Sequence, residues 1–314
     1  MRAAIALSHR GRGRTGSNPN VGCIIVKDGA IIGRGWTQAG GRPHAEAMAL
    51  AQAGSAAAGS HIYTTLEPCA HDSERGPTCA DLISAAKPAR LIIAAFDPDT
   101  RTNGQSAARL SAEDISVSHG ICALEARSAM AGFFCRTQYQ RPHITLKLAM
   151  SLDGCIAMKD GSSQWITGSR ARAHGHIERA CADAILVGSG TLETDQPQLN
   201  VRLEGLEDHS PQRILLGSRA APDGWQRIGS LNDLTSIKGN WLLVEGGART
   251  AASFLAADLV DRLLLYRAPI IIGGGLPAIS DIGLTNLSDA HGRWLLTDRR
   301  KLGQDMLEIY GRAA

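Results

Sequence analysis

Short apolar runs alternate with longer Ala- and Leu-rich segments along the first half of the chain. The apolar run 21–26 turns through Asp28-Gly29 into a second run, 31–36, and this spacing predicts a β-hairpin. Further strands are predicted at 62–66, 91–95 and 115–118, and helices at 43–53, 78–86 and 124–136. Strands separated by helices of about ten residues predict an α/β layered domain.

The second half repeats this alternation after a polar segment. Residues 137–142 are polar and end in proline, which is typical of a linker, so the sequence predicts two domains, 1–140 and 141–314. Strands are predicted at 143–150, 184–187, 213–216, 241–244, 262–266, 270–272 and 307–310, and helices at 171–182 and 250–257. The expected fold class is therefore α/β in both halves.

Composition narrows the class of protein. The chain has 314 residues, 44% of them hydrophobic and 20% charged, which suffices for two globular cores without disulfides. Seven cysteines, an odd number, and no apolar run of signal or membrane length favour a cytoplasmic protein with reduced thiols. A net charge of only +3 without a broad basic face argues against a nucleic-acid partner. We expect a homo-oligomer that acts on a small molecule and binds no membrane.

Three features in the first half indicate a catalytic metal. His44 and Glu46 stand at the start of a predicted helix, Cys69 follows a predicted strand, and Cys79 lies at the start of the next helix. One histidine and two cysteines leave the fourth position of a tetrahedral zinc open, as in catalytic sites. His-x-Glu followed by Pro-Cys and a second Cys is the signature of zinc nucleobase deaminases. The pattern predicts Zn²⁺ on His44, Cys69 and Cys79, with Glu46 as the proton carrier.

Two stretches of the first half resemble a known family. Residues 18–22 (Asn-Pro-Asn-Val-Gly) and 65–71 (Thr-Leu-Glu-Pro-Cys-Ala-His) are similar to the deaminase domain of the bifunctional diaminohydroxyphosphoribosylaminopyrimidine deaminase/5-amino-6-(5-phosphoribosylamino)uracil reductases of riboflavin biosynthesis. The loop 70–78 between the two cysteines is longer than is usual there. The resemblance implies a cytidine-deaminase-like three-layer fold and places Asn20 in the pyrimidine pocket. A turn residue is the alternative for Asn20.

The second half resembles the reductase domain of the same family. Residues 146–154 (Leu-Lys-Leu-Ala-Met-Ser-Leu-Asp-Gly) and 163–167 (Ser-Gln-Trp-Ile-Thr) are followed by the pattern Thr191-x-x-x-Asp195-x-Pro197-x-Leu199-x-x-Arg202 and by Glu245-Gly246-Gly247, in the family's order. The segment 188–190 (Gly-Ser-Gly) lacks the third glycine of a Rossmann fingerprint. The resemblance implies a dihydrofolate-reductase-like α/β fold that binds NADPH without that motif.

The resemblance also implies two sets of binding residues. The phosphoribosylaminouracil is held by Ser163, Arg179, Leu199, Arg202 and Glu245, and NADPH is contacted by Ala149, Trp165, Thr191, Asp195, Ser218 and Gly247. Arginine suits the substrate's phosphate because its planar fork makes paired hydrogen bonds; a helix-surface charge is the alternative for Arg179. The expected reactions are hydrolytic deamination of 2,5-diamino-6-(5-phosphoribosylamino)pyrimidin-4-one and then NADPH reduction of its ribosyl side chain to ribityl.

The second half departs from the family's usual residues at three positions. Cys155 stands where Lys or Arg is usual, Gln196 replaces an acidic residue, and Arg249 replaces a small polar one. We expect residue 155 to lie beside the substrate and another cation, Lys147, Lys159 or Arg249, to supply the missing charge. The alternative is an active deaminase with an attenuated reductase half.

Two other classes of function stay open. A deaminase of RNA or nucleosides, with an unrelated C-terminal domain, would carry Cys-x-x-Cys and a basic surface rich in aromatic residues, whereas aromatic residues make up only 4% of this chain. A non-catalytic remnant serving as a binding module is compatible only with the reductase half, because the first half keeps every zinc ligand and Glu46.

Overall fold

Separate clusters of buried apolar side chains give the chain two cores. One cluster draws on residues 5–130, and the largest of the others on residues 144–278. The chain divides into two compact units, Met1–Arg141 and Pro142–Ala314, and the boundary between them lies between these two clusters. The computed structural model describes residues 1–71 and 76–313, and in these ranges no helix is both long and apolar enough to cross a membrane.

The first unit is a mixed sheet with helices before, between and after its strands. Its strands are β1 (Gly22–Lys27), β2 (Ala30–Trp36), β3 (His61–Leu66), β4 (Arg90–Ala95) and β5 (Ser116–His119), and its helices are α1 (Arg2–Ser8), α2 (Ala45–Ala53), α3 (Cys79–Ala86), α4 (Gln105–Ala112), α5 (Ala123–Ala129) and α6 (Ala131–Tyr139). The sheet order is β2-β1-β3-β4-β5. β1 is antiparallel to β2 and β3, whereas β3, β4 and β5 run parallel.

Close packing of α2 on β2 positions the start of α2. A Cβ atom on Gly33 would lie 2.3 Å from the carbonyl oxygen of Ala49, and one on Gly35 would lie 2.0 Å from that of Ala45. Only glycine allows the helix backbone to approach the strand this closely. His44, the N-cap of α2, is therefore held against the sheet.

The second unit is a larger sheet of eight strands. Its elements are β6 (His143–Met150), β7 (Cys155–Ala157), α7 (Ser169–Ala180), β8 (Ala184–Gly188), α8 (Ser189–Asp195), β9 (Gln212–Leu216), β10 (Gln226–Ile228), β11 (Trp241–Val244), α9 (Ala248–Ala256), β12 (Arg262–Arg267), β13 (Leu276–Pro277), β14 (Trp294–Leu302) and β15 (Asp305–Arg312). The sheet order is β10-β9-β8-β11-β6-β12-β15-β14, and β7 pairs separately with β13. The six strands from β10 to β12 are parallel, and β15 and β14 are antiparallel. β8 and β11 are buried along their whole length, which explains their continuous apolar runs.

The structure confirms most predicted elements to within about two residues and corrects two. Residues 270–272, predicted as a strand, are irregular. The reason lies in their amides: Ile270 N donates to Ala268 O, and Ile272 N donates to the Asp153 carboxylate, so neither joins a ladder. The predicted helix 124–136 is two helices, because Met130 leaves helical geometry at φ −109° and ψ 19°.

The predicted linker overlaps a helix, and seven described elements have no counterpart among the predicted ones. α6 runs to Tyr139, so the predicted linker 137–142 begins inside a helix. Of the described helices and strands, the sequence pattern does not predict α1, α4, α8, β7, β10, β13 and β14. β14 is exposed at most positions, and a strand with little burial on either face lacks the alternation that predicts strands.

Candidate functional sites

The three predicted metal ligands of the first unit lie together. His44 caps α2, Cys79 is the first residue of α3, and Cys69 follows the end of β3. Nδ1 of His44 lies 3.2 Å from Sγ of Cys79 and 3.6 Å from Sγ of Cys69. All three ligand atoms lie within 4.8 Å of one another. Zinc bonds of about 2.0–2.3 Å place tetrahedral ligand atoms about 3–4 Å apart, so this donor set fits a zinc ion.

Glu46 lies beside this cluster and is almost fully buried, with 3% of its surface exposed. Oε1 accepts a hydrogen bond from Thr64 Oγ1 at 3.2 Å, and Oε2 lies 3.5 Å from Cys79 Sγ, which donates to it. Burial raises the pKa of Glu46, which makes its carboxylate a stronger base than an exposed one. Sequence reasoning did not single out Thr64, although two adjacent threonines at the buried end of β3 are a usable signal.

Hydrogen bonds within the cluster favour the thiolate form of Cys69. Cys79 and His44 both hydrogen-bond to the sulfur of Cys69, and these bonds lower the pKa of the Cys69 thiol to about 4. The Cys79 amide also donates to this sulfur at 3.3 Å. Since the thiolate is the form that binds metal, Cys69 is prepared as a ligand.

Glu67, two residues before Cys69, is a second buried carboxylate that the sequence did not predict as functional. It is 2% exposed. Its Oε2 accepts from the Gly104 amide at 2.9 Å, and its Oε1 accepts from Ser106 Oγ at 2.9 Å and from the Ala107 amide at 3.3 Å. These donors belong to the start of α4, so Glu67 caps that helix from outside and ties it to the segment that carries Cys69.

Asn20 is fully buried. Its Nδ2 donates to Ser8 O at 3.2 Å and to Ala129 O at 3.0 Å, which joins α1 to α5. Its Oδ1 is buried without a hydrogen-bond partner in the described ranges. A buried acceptor without a donor is costly, and a ligand amine would satisfy it. The loop 70–78 falls partly outside the described residues, which omit 72–75.

The second unit contains a cleft of about 900 Å³. It lies at the carboxyl ends of the parallel strands β6, β8, β9 and β11, where α/β sheets bind ligands. Its lining includes every substrate residue predicted in the second half, Ser163, Arg179, Leu199, Arg202 and Glu245, and five predicted NADPH residues, Ala149, Trp165, Thr191, Asp195 and Gly247. Of the predicted NADPH residues, Ser218 is not among those that line the cleft, whereas Leu216, two residues earlier, is.

A charged trio occupies the floor of this cleft. Arg179 Nε and Nη2 donate to Glu245 Oε1 and Oε2 at 2.7 and 2.9 Å, and Lys147 Nζ lies 3.5 Å from Oε2 of the same carboxylate. Burial alone would raise the pKa of Glu245, but the charges of Lys147 and Arg179 lower it to about 2. Arg179 is thus paired within the cleft rather than a free charge on a helix surface.

Residue 155 does not lie where the sequence suggested. Cys155 is 6% exposed and does not line the cleft, although Ile156 and Ala157 do. Its Sγ lies 3.7 Å from Asp153 Oδ2 and 3.6 Å from Gly273 O. The structure therefore does not place the side chain of residue 155 in the cleft: it packs under the loop 270–275. Of the three cations proposed to replace it, the cleft lining contains Lys147 and Arg249 but not Lys159.

The two halves match two different families. Residues 1–95 match the family described as cytidine and deoxycytidylate deaminase zinc-binding region. Residues 142–228 and 226–307 match the RibD C-terminal domain. The second match removes the alternative of an unrelated C-terminal domain.

Whole proteins are similar over nearly the full chain. Riboflavin biosynthesis protein RibD of Aquifex aeolicus is 35% identical, over 99% of this chain and 97% of that protein. RibD of Escherichia coli is 36% identical, over 98% and 96% respectively. Among solved structures, Acinetobacter baumannii RibD form 2 has a TM-score of 0.87 at 32% identity, covering 99% of this chain and 97% of that one. A diaminohydroxyphosphoribosylaminopyrimidine deaminase/5-amino-6-(5-phosphoribosylamino)uracil reductase from Thermotoga maritima has a TM-score of 0.88 at 28% identity, covering 99% and 97%.

Proposed function

The chain belongs to the RibD family of riboflavin biosynthesis proteins, and from this premise we propose how its own residues carry out the two reactions. It is a bifunctional enzyme with a zinc-dependent deaminase domain of the cytidine-deaminase type and an NADPH-dependent reductase domain of the dihydrofolate-reductase type. We assign residues 1–140 to the first and 141–314 to the second. The first substrate is 2,5-diamino-6-(5-phosphoribosylamino)pyrimidin-4-one, and its deaminated product is the second.

The observation that carries the proposal is the meeting of His44, Cys69, Cys79 and Glu46 in one buried cluster. The first three would hold zinc, which when bound would supply a Lewis acid that activates water. Glu46 would move a proton from the attacking water to the ring amine, so that the water oxygen bonds to the ring carbon as the carbon–nitrogen bond breaks and ammonia leaves. Thr64 fixes the carboxyl group of Glu46 through its hydroxyl, and Asn20 offers its unpaired Oδ1 to the pyrimidine.

The reductase cleft binds a phosphorylated sugar and a dinucleotide. Arg202 and Ser163 bind the substrate's phosphoribosyl group, and Leu199 packs against it. Arg179 holds Glu245, which in turn holds Lys147, so Lys147 supplies the fixed positive charge that assists hydride transfer. NADPH lies against Ala149, Trp165, Thr191, Asp195 and Gly247. Because Lys147 supplies the charge from within the cleft, the loss of a cation at position 155 does not attenuate the reductase.

Purified full-length protein tests both assignments. We expect ammonia release from the diaminopyrimidine and NADPH oxidation with the deaminated product. Glu46→Gln should strongly slow the first activity and keep the second, whereas Glu245→Gln should do the reverse. Wild-type protein that lacks either activity would contradict the corresponding half of the proposal.

Assembly, location and domain independence stay predictions. We propose a homo-oligomer in the cytoplasm, testable by light scattering and cell fractionation. A fragment of residues 1–140 should bind zinc on its own, because the first unit has its own core; an insoluble, zinc-free fragment would argue against that domain boundary.

A further inference from the structure

Arg249 reaches across the cleft from one helix start to another. It is the second residue of α9, it is exposed, and it lines the cleft. A Cβ atom on Gly190, in the first turn of α8, would lie 3.9 Å from its Nη2. The guanidinium of Arg249 therefore lies between the starts of α8 and α9.

The other cations of the cleft either pair with a protein carboxylate or, in the case of Arg202, are assigned to the substrate. Lys147 and Arg179 pair with Glu245, and Arg202 Nη1 lies 3.4 Å from the side-chain oxygens of Gln198 and Asn200. For Arg249, residues 1–71 and 76–313 provide neither an ion pair nor a side-chain hydrogen bond. Its charge is therefore left for a ligand.

A cation is poorly placed at this point of a helix. The N-terminal turn carries partial positive charge, so an arginine there is repelled by the helix, and the first turn of α9 holds no acidic residue to offset it. The same turn attracts anions, because the amides of Ala248, Arg249 and Thr250 have no partner within the helix. A bound anion would satisfy both the amides and the guanidinium.

Glycines beside Arg249 leave the backbone without side chains that would block an anion. Glycine occupies positions 188, 190, 246 and 247, which all line the cleft. Close packing explains two of them: a Cβ atom on Gly188 would lie 2.4 Å from Thr250 Oγ1, and one on Gly246 would lie 2.5 Å from Thr250 Cβ. Gly190 and Gly247 have no such clash, and the Gly247 amide already donates to Thr191 Oγ1 at 3.0 Å, so Gly190 is the glycine that leaves room beside the guanidinium.

We propose that Arg249 binds a phosphate of NADPH and thereby helps to set the cofactor affinity of this cleft. The inference rests on the proposed function, which places NADPH here. Two phosphates of the cofactor have the required chemistry, the diphosphate bridge and the 2′-phosphate of the adenosine ribose. A guanidinium fork suits either one.

Fluorescence titration with NADPH and NADH tests the proposal. Arg249→Ala should raise the Kd for NADPH about tenfold, the typical effect of losing one charge-assisted hydrogen bond. Arg249→Lys should lose less, because it keeps the charge but not the planar fork. Arg299→Ala removes the same charge from an exposed position on β14, where Arg299 is 60% exposed, and should leave both Kd values unchanged.

Comparing NADPH with NADH shows which phosphate Arg249 binds, because NADH lacks the 2′-phosphate. An equal loss for NADPH and NADH in Arg249→Ala assigns the diphosphate, whereas a loss confined to NADPH assigns the 2′-phosphate. Without cofactor, Arg249→Ala should melt at or slightly above the wild-type temperature, which excludes misfolding as the cause. An unchanged Kd for NADPH in this variant would overturn the role of Arg249 but not the proposed reductase function. Wild-type protein that binds no NADPH would overturn the proposed reductase function as well.

Discussion

Arg179 contacts both carboxylate oxygens of Glu245, at 2.7 and 2.9 Å, and so fixes the one acidic group on which Lys147 also depends. The pair is mostly buried, with 15% and 10% of the two side chains exposed. A buried pair of this kind is sensitive to losing one partner, because the remaining charge stays in a poorly solvated place.

The first prediction concerns the pH dependence of stability. The pKa of Glu245 is lowered to about 2 in the folded state, so its ionised form stabilises the fold above the unfolded pKa, near 4.5, and this contribution is lost as the pH falls towards 2. Glu245→Gln should reduce the free energy of unfolding at pH 7 by about 3 kcal/mol. The difference from wild type should shrink between about pH 4.5 and 2. Urea denaturation over this range measures it.

Glu193 provides the matched control. Its ion pair with Arg219 is about half exposed, and such pairs contribute at most about 1 kcal/mol. Glu193→Gln should therefore cost little stability at pH 7. A constant difference between Glu245→Gln and wild type at all pH values would contradict the proposed charge.

The second prediction concerns the metal. One zinc per chain should copurify with the protein, and Cys79→Ala should lose most of it, because a site with two remaining ligands binds zinc weakly. Cys122→Ala, in the same unit but outside the cluster, should keep its zinc. Elemental analysis of the three proteins measures the content, and full zinc occupancy in Cys79→Ala would remove that residue from the site.

The third prediction separates proton transfer from metal binding. Glu46→Gln keeps the shape of the side chain but cannot carry a proton, so deamination should slow by about 10²–10⁴-fold with zinc retained. Thr64→Val removes only the hydroxyl that orients Glu46 and should cost about tenfold, the effect of one hydrogen bond. Ammonia release under saturating substrate measures both. Near-normal turnover in Glu46→Gln would exclude the assigned role.

The fourth prediction follows from the buried place of Cys155. Since this side chain does not line the cleft, Cys155→Lys should change the rate of NADPH oxidation by less than about tenfold, or roughly 1.4 kcal/mol. Lys147→Met, which removes the cation beside Glu245, should slow the same step by about 10²-fold or more. Single-turnover kinetics with the deaminated substrate compare the two. A strong gain of activity in Cys155→Lys would show that the reductase lacks a cation.

The metal cluster could be predicted from the sequence because its ligands sit at element boundaries. The starts of α2 and α3 and the end of β3 are marked by local signals, and these signals place His44, Cys69 and Cys79 near one another. Thr64 and Glu67 were missed because their roles depend on contacts with distant segments. The partners of Glu67 lie 37 to 40 residues further along the chain.

Cys155 shows what a family resemblance cannot predict. A resemblance aligns positions but does not say which side chains reach a cleft. Here Ile156 and Ala157 line the cleft and Cys155 does not. The stretch 270–272 was predicted as a strand because its apolar residues are visible in the sequence, whereas the contact of the Ile272 amide with the distant Asp153 carboxylate is not.

Because Glu67 caps α4, metal binding at Cys69 should also stabilise the first turn of that helix. Because Glu67 is two residues from Cys69 and binds the amides of Gly104 and Ala107, the ligand segment and the first turn of α4 should open and close as one cooperative unit. Zinc that holds Cys69 in place would then slow amide hydrogen exchange at Gly104 and Ala107. Removing the zinc with a chelator would speed amide hydrogen exchange at both residues, although α4 contributes no ligand to the metal.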